Sequence, residues 1–145
     1  MKKNIYLLPF LLIIACAKKE DKITPDPKPK LNILSVTPAA VGQFQPVTLK
    51  IEVTDGDGDI GQENPDEKTL SIKDSRLPEA DMYHVQPLAP PDTKVAIKVP
   101  LTIEIPNLFL FGNGNSEQVS FSVKIKDRSG NWSNEETSAT ITITR

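Results

Sequence analysis

From Leu31 onward, apolar side chains recur at every second position and almost nowhere at the three- and four-residue spacing of an amphipathic helix. The clearest stretch is Val95, Ile97, Val99, Leu101, Ile103 and Ile105, alternating with Ala96, Lys98, Pro100, Thr102 and Glu104. Successive side chains of a strand point to opposite faces, so one face of this stretch should be buried and the other wet. Pro100 has no amide hydrogen for a ladder, which places the strand at a sheet edge or at a bulge. Val47, Leu49, Ile51 and Val53 repeat the pattern, as do Val119, Phe121, Val123 and Ile125, and Ala139, Ile141 and Ile143. Weaker runs lie at Leu31 to Thr37, Lys68 to Lys73 and Asp81 to Pro87. Gly56, Gly112-Asn113-Gly114-Asn115 and Ser129-Gly130-Asn131 supply turn chemistry between them.

Seven short strands in about 100 residues is the arithmetic of an antiparallel immunoglobulin-like sandwich, so the expected fold is all-β, one domain over residues 31–145. The stretch Val119 to Asp127, then Arg128-Ser129-Gly130-Asn131-Trp132-Ser133, then Ala139 to Thr144, resembles the closing F-G hairpin of bacterial immunoglobulin-like and fibronectin type III-like domains. The antibody hallmarks are missing: there is no Cys pair, and the single Trp falls in a hairpin.

Composition narrows the function. With 17 Lys+Arg against 19 Asp+Glu, a net charge of −2 gives no general basic surface for nucleic acid. One Cys and one His exclude, or come close to excluding, a disulfide framework, a Cys/His zinc site and a Cys/His nucleophile pair. His84 has no evident partner in the sequence and reads as a strand surface residue, and Tyr83 carries no signal beyond strand propensity. Trp132 reads as a plug on its hairpin, although an exposed indole would suit carbohydrate stacking.

The N-terminus carries a second message. Met1 to Asn4 is a short positive segment, Ile5 to Ile14 is apolar and broken by Pro9, and Ala15 precedes the only Cys, Cys16. This is the pattern of a secretory signal over residues 1–15, and it is too short to span a bilayer, which takes about 20 apolar residues. Ile13-Ile14-Ala15-Cys16 resembles the lipobox of bacterial lipoproteins, which implies acylation of Cys16 and anchoring in the outer membrane. Residues 16–30, with Pro25, Pro27 and Pro29 alternating, read as a solvated tether; the 14 residues after Cys16, near 3.1 Å each, reach roughly 40 Å. The Lys18-Lys19-Glu20-Asp21 cluster is similar to the surface-export signals of Bacteroidetes lipoproteins, and equally fits a polar periplasmic spacer.

One loop carries candidate chemistry. Between Thr54 and Glu67 lie Asp55, Asp57, Asp59, Glu63, Asp66 and Glu67, and no cation. Like charges so close repel unless something neutralises them, and a hard, oxygen-rich site suits calcium. The loop is not an EF-hand: Ile60 stands where that loop needs Gly, and Asp66 where it closes with Glu. In an immunoglobulin-like sandwich the B-C and F-G loops share one end, so Asp127 and Asn131 are expected to join Asp55, Asp57 and Asp59 as ligands. The alternative is a solvated acidic turn.

Strand direction puts the tether at that same end. The opposite end then collects Phe44 and the run Leu108-Phe109-Leu110-Phe111, either as a plug of the core or as an exposed patch, with Phe109 or Phe111 anchoring an envelope or surface protein. The expected function is a non-enzymatic, lipid-anchored binding or spacer module of the cell envelope, calcium-stabilised if the loop is a site. The competing expectation is an accessory carbohydrate-binding or glycan-processing lipoprotein, which an exposed aromatic platform or a cleft lined by two carboxylates would favour.

Overall fold

The computed structural model describes residues 26–145, so the expected export signal and Cys16 lie outside the described residues. Within them the chain is all-β: β1 (Lys30–Thr37), β2 (Ala40–Gly42), β3 (Val47–Asp55), β4 (Leu70–Asp74), β5 (Asp81–Tyr83), β6 (Ile97–Ile105), β7 (Ser116–Val119), β8 (Phe121–Ile125), β9 (Glu136–Thr137) and β10 (Ile141–Thr144). They form three sheets, ordered β1-β3-β6, β2-β10-β7 and β5-β4-β8-β9. All pairings are antiparallel except that of β2 with β10.

The alternating runs put their apolar sides into a single core, giving a sandwich-like arrangement. Leu49, Ile51 and Val53 of β3 are fully buried, as are Val123 and Ile125 of β8 and Ile143 of β10. Each such side chain contributes about 1.5–3 kcal/mol over its exposed state. β3 dominates because it is central, with β1 on one side and β6 on the other. β6 has only β3 as a partner among the described residues, the edge position that Pro100 demands. For that reason Val99, Leu101 and Ile103 are only half-buried while Ile97 and Ile105 are covered.

Several boundaries differ from the alternation. Val95 and Ala96 precede β6; Val95 is 46% exposed, and its amide is drawn to the Asp57 carbonyl at 3.2 Å. The run expected to reach Pro87 ends as a strand at Tyr83. Beyond it, the Val85 carbonyl accepts the Gln62 amide at 2.8 Å and the Leu88 amide donates to Ile60 at 3.0 Å, so this backbone serves the acidic loop. Ala139 is exposed; its neighbour Ser138 is buried and accepts the Phe121 amide through Oγ at 2.9 Å as the chain passes from β9 to β10.

Register fixes two ends. Lys30 pairs with Thr54 and Ile97 with Asp55, so the start of β1, the end of β3 and the start of β6 share one end. Thr37 pairs with Thr48 and Ile105 with Val47, which gathers Phe44 and residues 106–115 at the other.

Candidate metal centre

β3 ends on Asp55, whose side chain continues the inward alternation and is only 1% exposed. The chain then turns back on itself through Gly56-Asp57-Gly58-Asp59. Gly58 has φ 72°, and a Cβ there would collide with the Val95 carbonyl, so the turn admits no other residue without displacement. Ile60 ends the turn fully buried in the core, bridged to Asp127. The loop is thus nailed at both ends by apolar packing and held inside by the Asp59 amide donating to Asp55 Oδ2 at 2.9 Å.

The result is convergence. One carboxylate oxygen from each of Asp55, Asp57 and Asp59 lies within 4.8 Å of the others, and the group can hold a metal ion. Two ligands on one calcium at about 2.4 Å stand at most about 4.8 Å apart, so this spacing suits a shared ion. The Oδ1 atoms of all three are buried and have no hydrogen-bond partner among the described residues. Buried carboxylate oxygens are ordinarily paired, so three orphans in one loop mark it as the candidate site. None of the ion pairs among the described residues includes them. At an effective dielectric near 20, two such charges about 5 Å apart repel by on the order of 3 kcal/mol.

Burial pushes the Asp55 carboxyl from its ordinary 3.8 up to about 6; the Asp59 amide opposes the shift, and the charges of Asp57 and Asp59 add to it. A cation would offset the desolvation and cancel the repulsion. Beside the group lies a depression of about 270 Å³, lined by Asp57, Asp59, Asp92, Lys94, Arg128 and Ser129, among others. Glu63, Asp66 and Glu67 stay in solvent, where Asn64 caps their turn through the Asp66 amide at 3.1 Å.

Asp127 and Asn131 come to this end but bond to each other. Asp127 Oδ1 accepts the Asn131 amide at 2.7 Å and Oδ2 accepts Asn131 Nδ2 at 2.8 Å, which closes the hairpin turn. Asp127 is 1% exposed and stands outside the converging group. The contribution of this hairpin comes from the residues between them: Asp59 Oδ2 accepts the Ser129 hydroxyl at 2.7 Å and its amide at 3.1 Å, and the Arg128 amide reaches the Asp59 carbonyl at 2.9 Å. Sequence reasoning missed Ser129, since a serine in a turn carries no distinguishing signal.

At the other end, Leu108 is the plug at 5% exposure, while Phe44, Phe109 and Phe111 are 64%, 46% and 48% exposed. The two loop phenyls meet edge to face at 5.0 Å, and the Arg76 guanidinium lies 4.4 Å over Phe111. Arg76 also grips Asp74, Glu117 Oε2 and the Phe109 carbonyl, so the loop is held rigidly with both rings outward. His84 does have a partner: its Nε2 lies 2.7 Å from the Gln62 carbonyl. The Trp132 ring is half-buried, with the Lys124 and Lys126 ammonium groups 5.0 and 5.4 Å from its centre.

Compared with protein-family models, with curated proteins and with solved structures, the chain matches none of them.

Proposed function

We propose that this chain is a non-enzymatic binding or spacer module of the cell envelope, held to the outer membrane through acylated Cys16 and braced by calcium at the end of the domain nearest its tether. The observation that carries the calcium reading is the convergence of the Asp55, Asp57 and Asp59 carboxylates in a loop where each keeps one buried oxygen without a partner among the described residues. Oxygen-only donors of this charge favour a hard divalent cation, and a turn built on glycines tolerates the irregular shell of calcium better than the strict octahedron of magnesium.

An immunoglobulin-like topology is supported by the way strands continue one another. β1 runs on into β2, β7 into β8 across Ser120, and β9 into β10; merging each pair leaves seven strands. The lipoprotein reading rests on the lipobox resemblance around Cys16. Phe109 and Phe111, at the end away from Lys30, are the face we assign to a protein partner, because they pack on each other and under Arg76 while about half of each stays exposed.

Thermal unfolding tests the calcium reading. An ion bound only by the folded state stabilises by RT ln(1 + [L]/Kd), about 2.7 kcal/mol at a hundredfold excess over Kd. The transition should move up in millimolar calcium relative to EDTA; coincident transitions would contradict the reading.

A further inference from the structure

We propose that the cation held by Asp55, Asp57 and Asp59 is also a clasp: it fastens the segment Asp26–Lys30 to the end of the sandwich, and its loss releases that segment and lengthens the leash. This inference rests on the cation reading above. Gly56, between the first two ligands, donates its amide to the Asp26 carbonyl at 3.1 Å. The approach is so close that a Cβ on Gly56 would stand 2.7 Å from the Asp26 nitrogen and 2.8 Å from its carbonyl carbon. Real Cβ atoms do not come so near, so the segment lies directly on the loop backbone. Pro29 is buried, and Lys30 opens β1 opposite Thr54, the residue before Asp55.

The side-chain contacts of the segment are internal to it. Lys28 donates its amide to Asp26 Oδ1 at 3.1 Å, and Lys30 pairs with Asp26 at 3.8 Å on an exposed surface. These shape the segment without tying it to the domain, and an exposed pair of this kind is weak. Lys30 is held by its pairing with Thr54 and Pro29 by burial, so the polar tie at Asp26 is the Gly56 amide, whose position depends on the backbone between two carboxylates. With the ion bound, Asp55 and Asp57 are drawn together and the Gly56 amide is fixed. With the ion gone, the carboxylates repel, and the backbone that must shift to separate them is the one that carries Asp26. Coupling of this kind is reciprocal: fastening the segment must tighten the ion by the factor by which the ion fastens the segment.

Endoproteinase Lys-C on the purified full-length protein in detergent reads the clasp. The Lys30–Leu31 bond reports the segment, and Lys73–Asp74, at the opposite end in β4, reports general stability. Calcium binding is followed by calorimetry on the same sample. Millimolar calcium should slow cleavage at Lys30 roughly tenfold more than cleavage at Lys73, within the usual range of coupling between linked sites. Gly56→Ala, whose methyl displaces Asp26, should be cleaved rapidly at Lys30 with and without calcium and should bind calcium more weakly. Calcium binding with equal protection of both bonds overturns the clasp and leaves the cation reading standing, as does wild-type calcium protection in Gly56→Ala. No calcium binding overturns both.

Discussion

The Asp59 amide donates to Asp55 Oδ2 at 2.9 Å, while Asp55 Oδ1, on the same buried carboxylate, has no partner among the described residues. One bond thus folds the loop, and the carboxylate that accepts it keeps an oxygen available for a ligand. A solvated acidic turn has no reason to bury that oxygen, because a lone carboxylate oxygen is better off in water.

Asp55→Asn separates folding from ion binding. The amide oxygen can still accept from Asp59, and the substitution removes a charge that burial and two neighbours disfavour. In EDTA the variant should melt at or above the wild-type temperature, a gain on the order of 1 kcal/mol or less. In calcium the upward shift seen for the wild type should disappear. Differential scanning calorimetry in both buffers checks it.

Asp127→Ala should behave in the opposite way. It removes two hydrogen bonds to a buried carboxylate, from the amide and Nδ2 of the exposed Asn131, at a cost of about 1–3 kcal/mol. The loss should be the same in EDTA and in calcium, and the calcium shift should survive. Urea titrations in the two buffers distinguish this structural role from ligation.

Glu117 gives a pH signature at the other end. The amides of Gly112 and Phe111, and then Arg76, hold its carboxyl below the ordinary 4.5. A carboxyl depressed in the folded state stabilises above its unfolded pKa, and the contribution is lost as pH falls through the folded value. Glu117→Gln should therefore be less stable than wild type at pH 7, and the two unfolding curves should converge as pH falls below the ordinary carboxylate range.

Much of this arrangement was legible in the sequence, for a physical reason: a half-buried strand must alternate, so Val47 to Val53 and Phe121 to Ile125 declare themselves. β2 and β9, with three and two residues, are too short to show a period. Ala139 alternates correctly but stays exposed, because the chain changes sheet there and Ser138 takes the inward position. The spacing of Asp55, Asp57 and Asp59 announced a converging group. The mutual bonding of Asp127 and Asn131 did not show, since a turn that places two polar side chains four residues apart lets them satisfy each other before anything else. Asp26 was invisible as a contact, because it meets Gly56 through its backbone carbonyl, and a carbonyl has no signature in sequence.

The anchoring reading has its own test at the lone cysteine. Cys16→Ser removes the attachment site that the lipobox resemblance assigns, and a single acyl-bearing residue is what would hold the chain to the bilayer. The variant should move from the membrane pellet to the soluble fraction after ultracentrifugation, with the thermal transition of its folded domain unchanged.

The most direct measurement is isothermal titration of calcium into EDTA-stripped, desalted protein, with the Asp55→Asn/Asp57→Asn/Asp59→Asn variant alongside. The account predicts one ion per wild-type chain and no saturable binding to the variant, with both proteins folded by circular dichroism. A folded wild type that takes up no calcium, or a variant that binds it as the wild type does, would contradict the account.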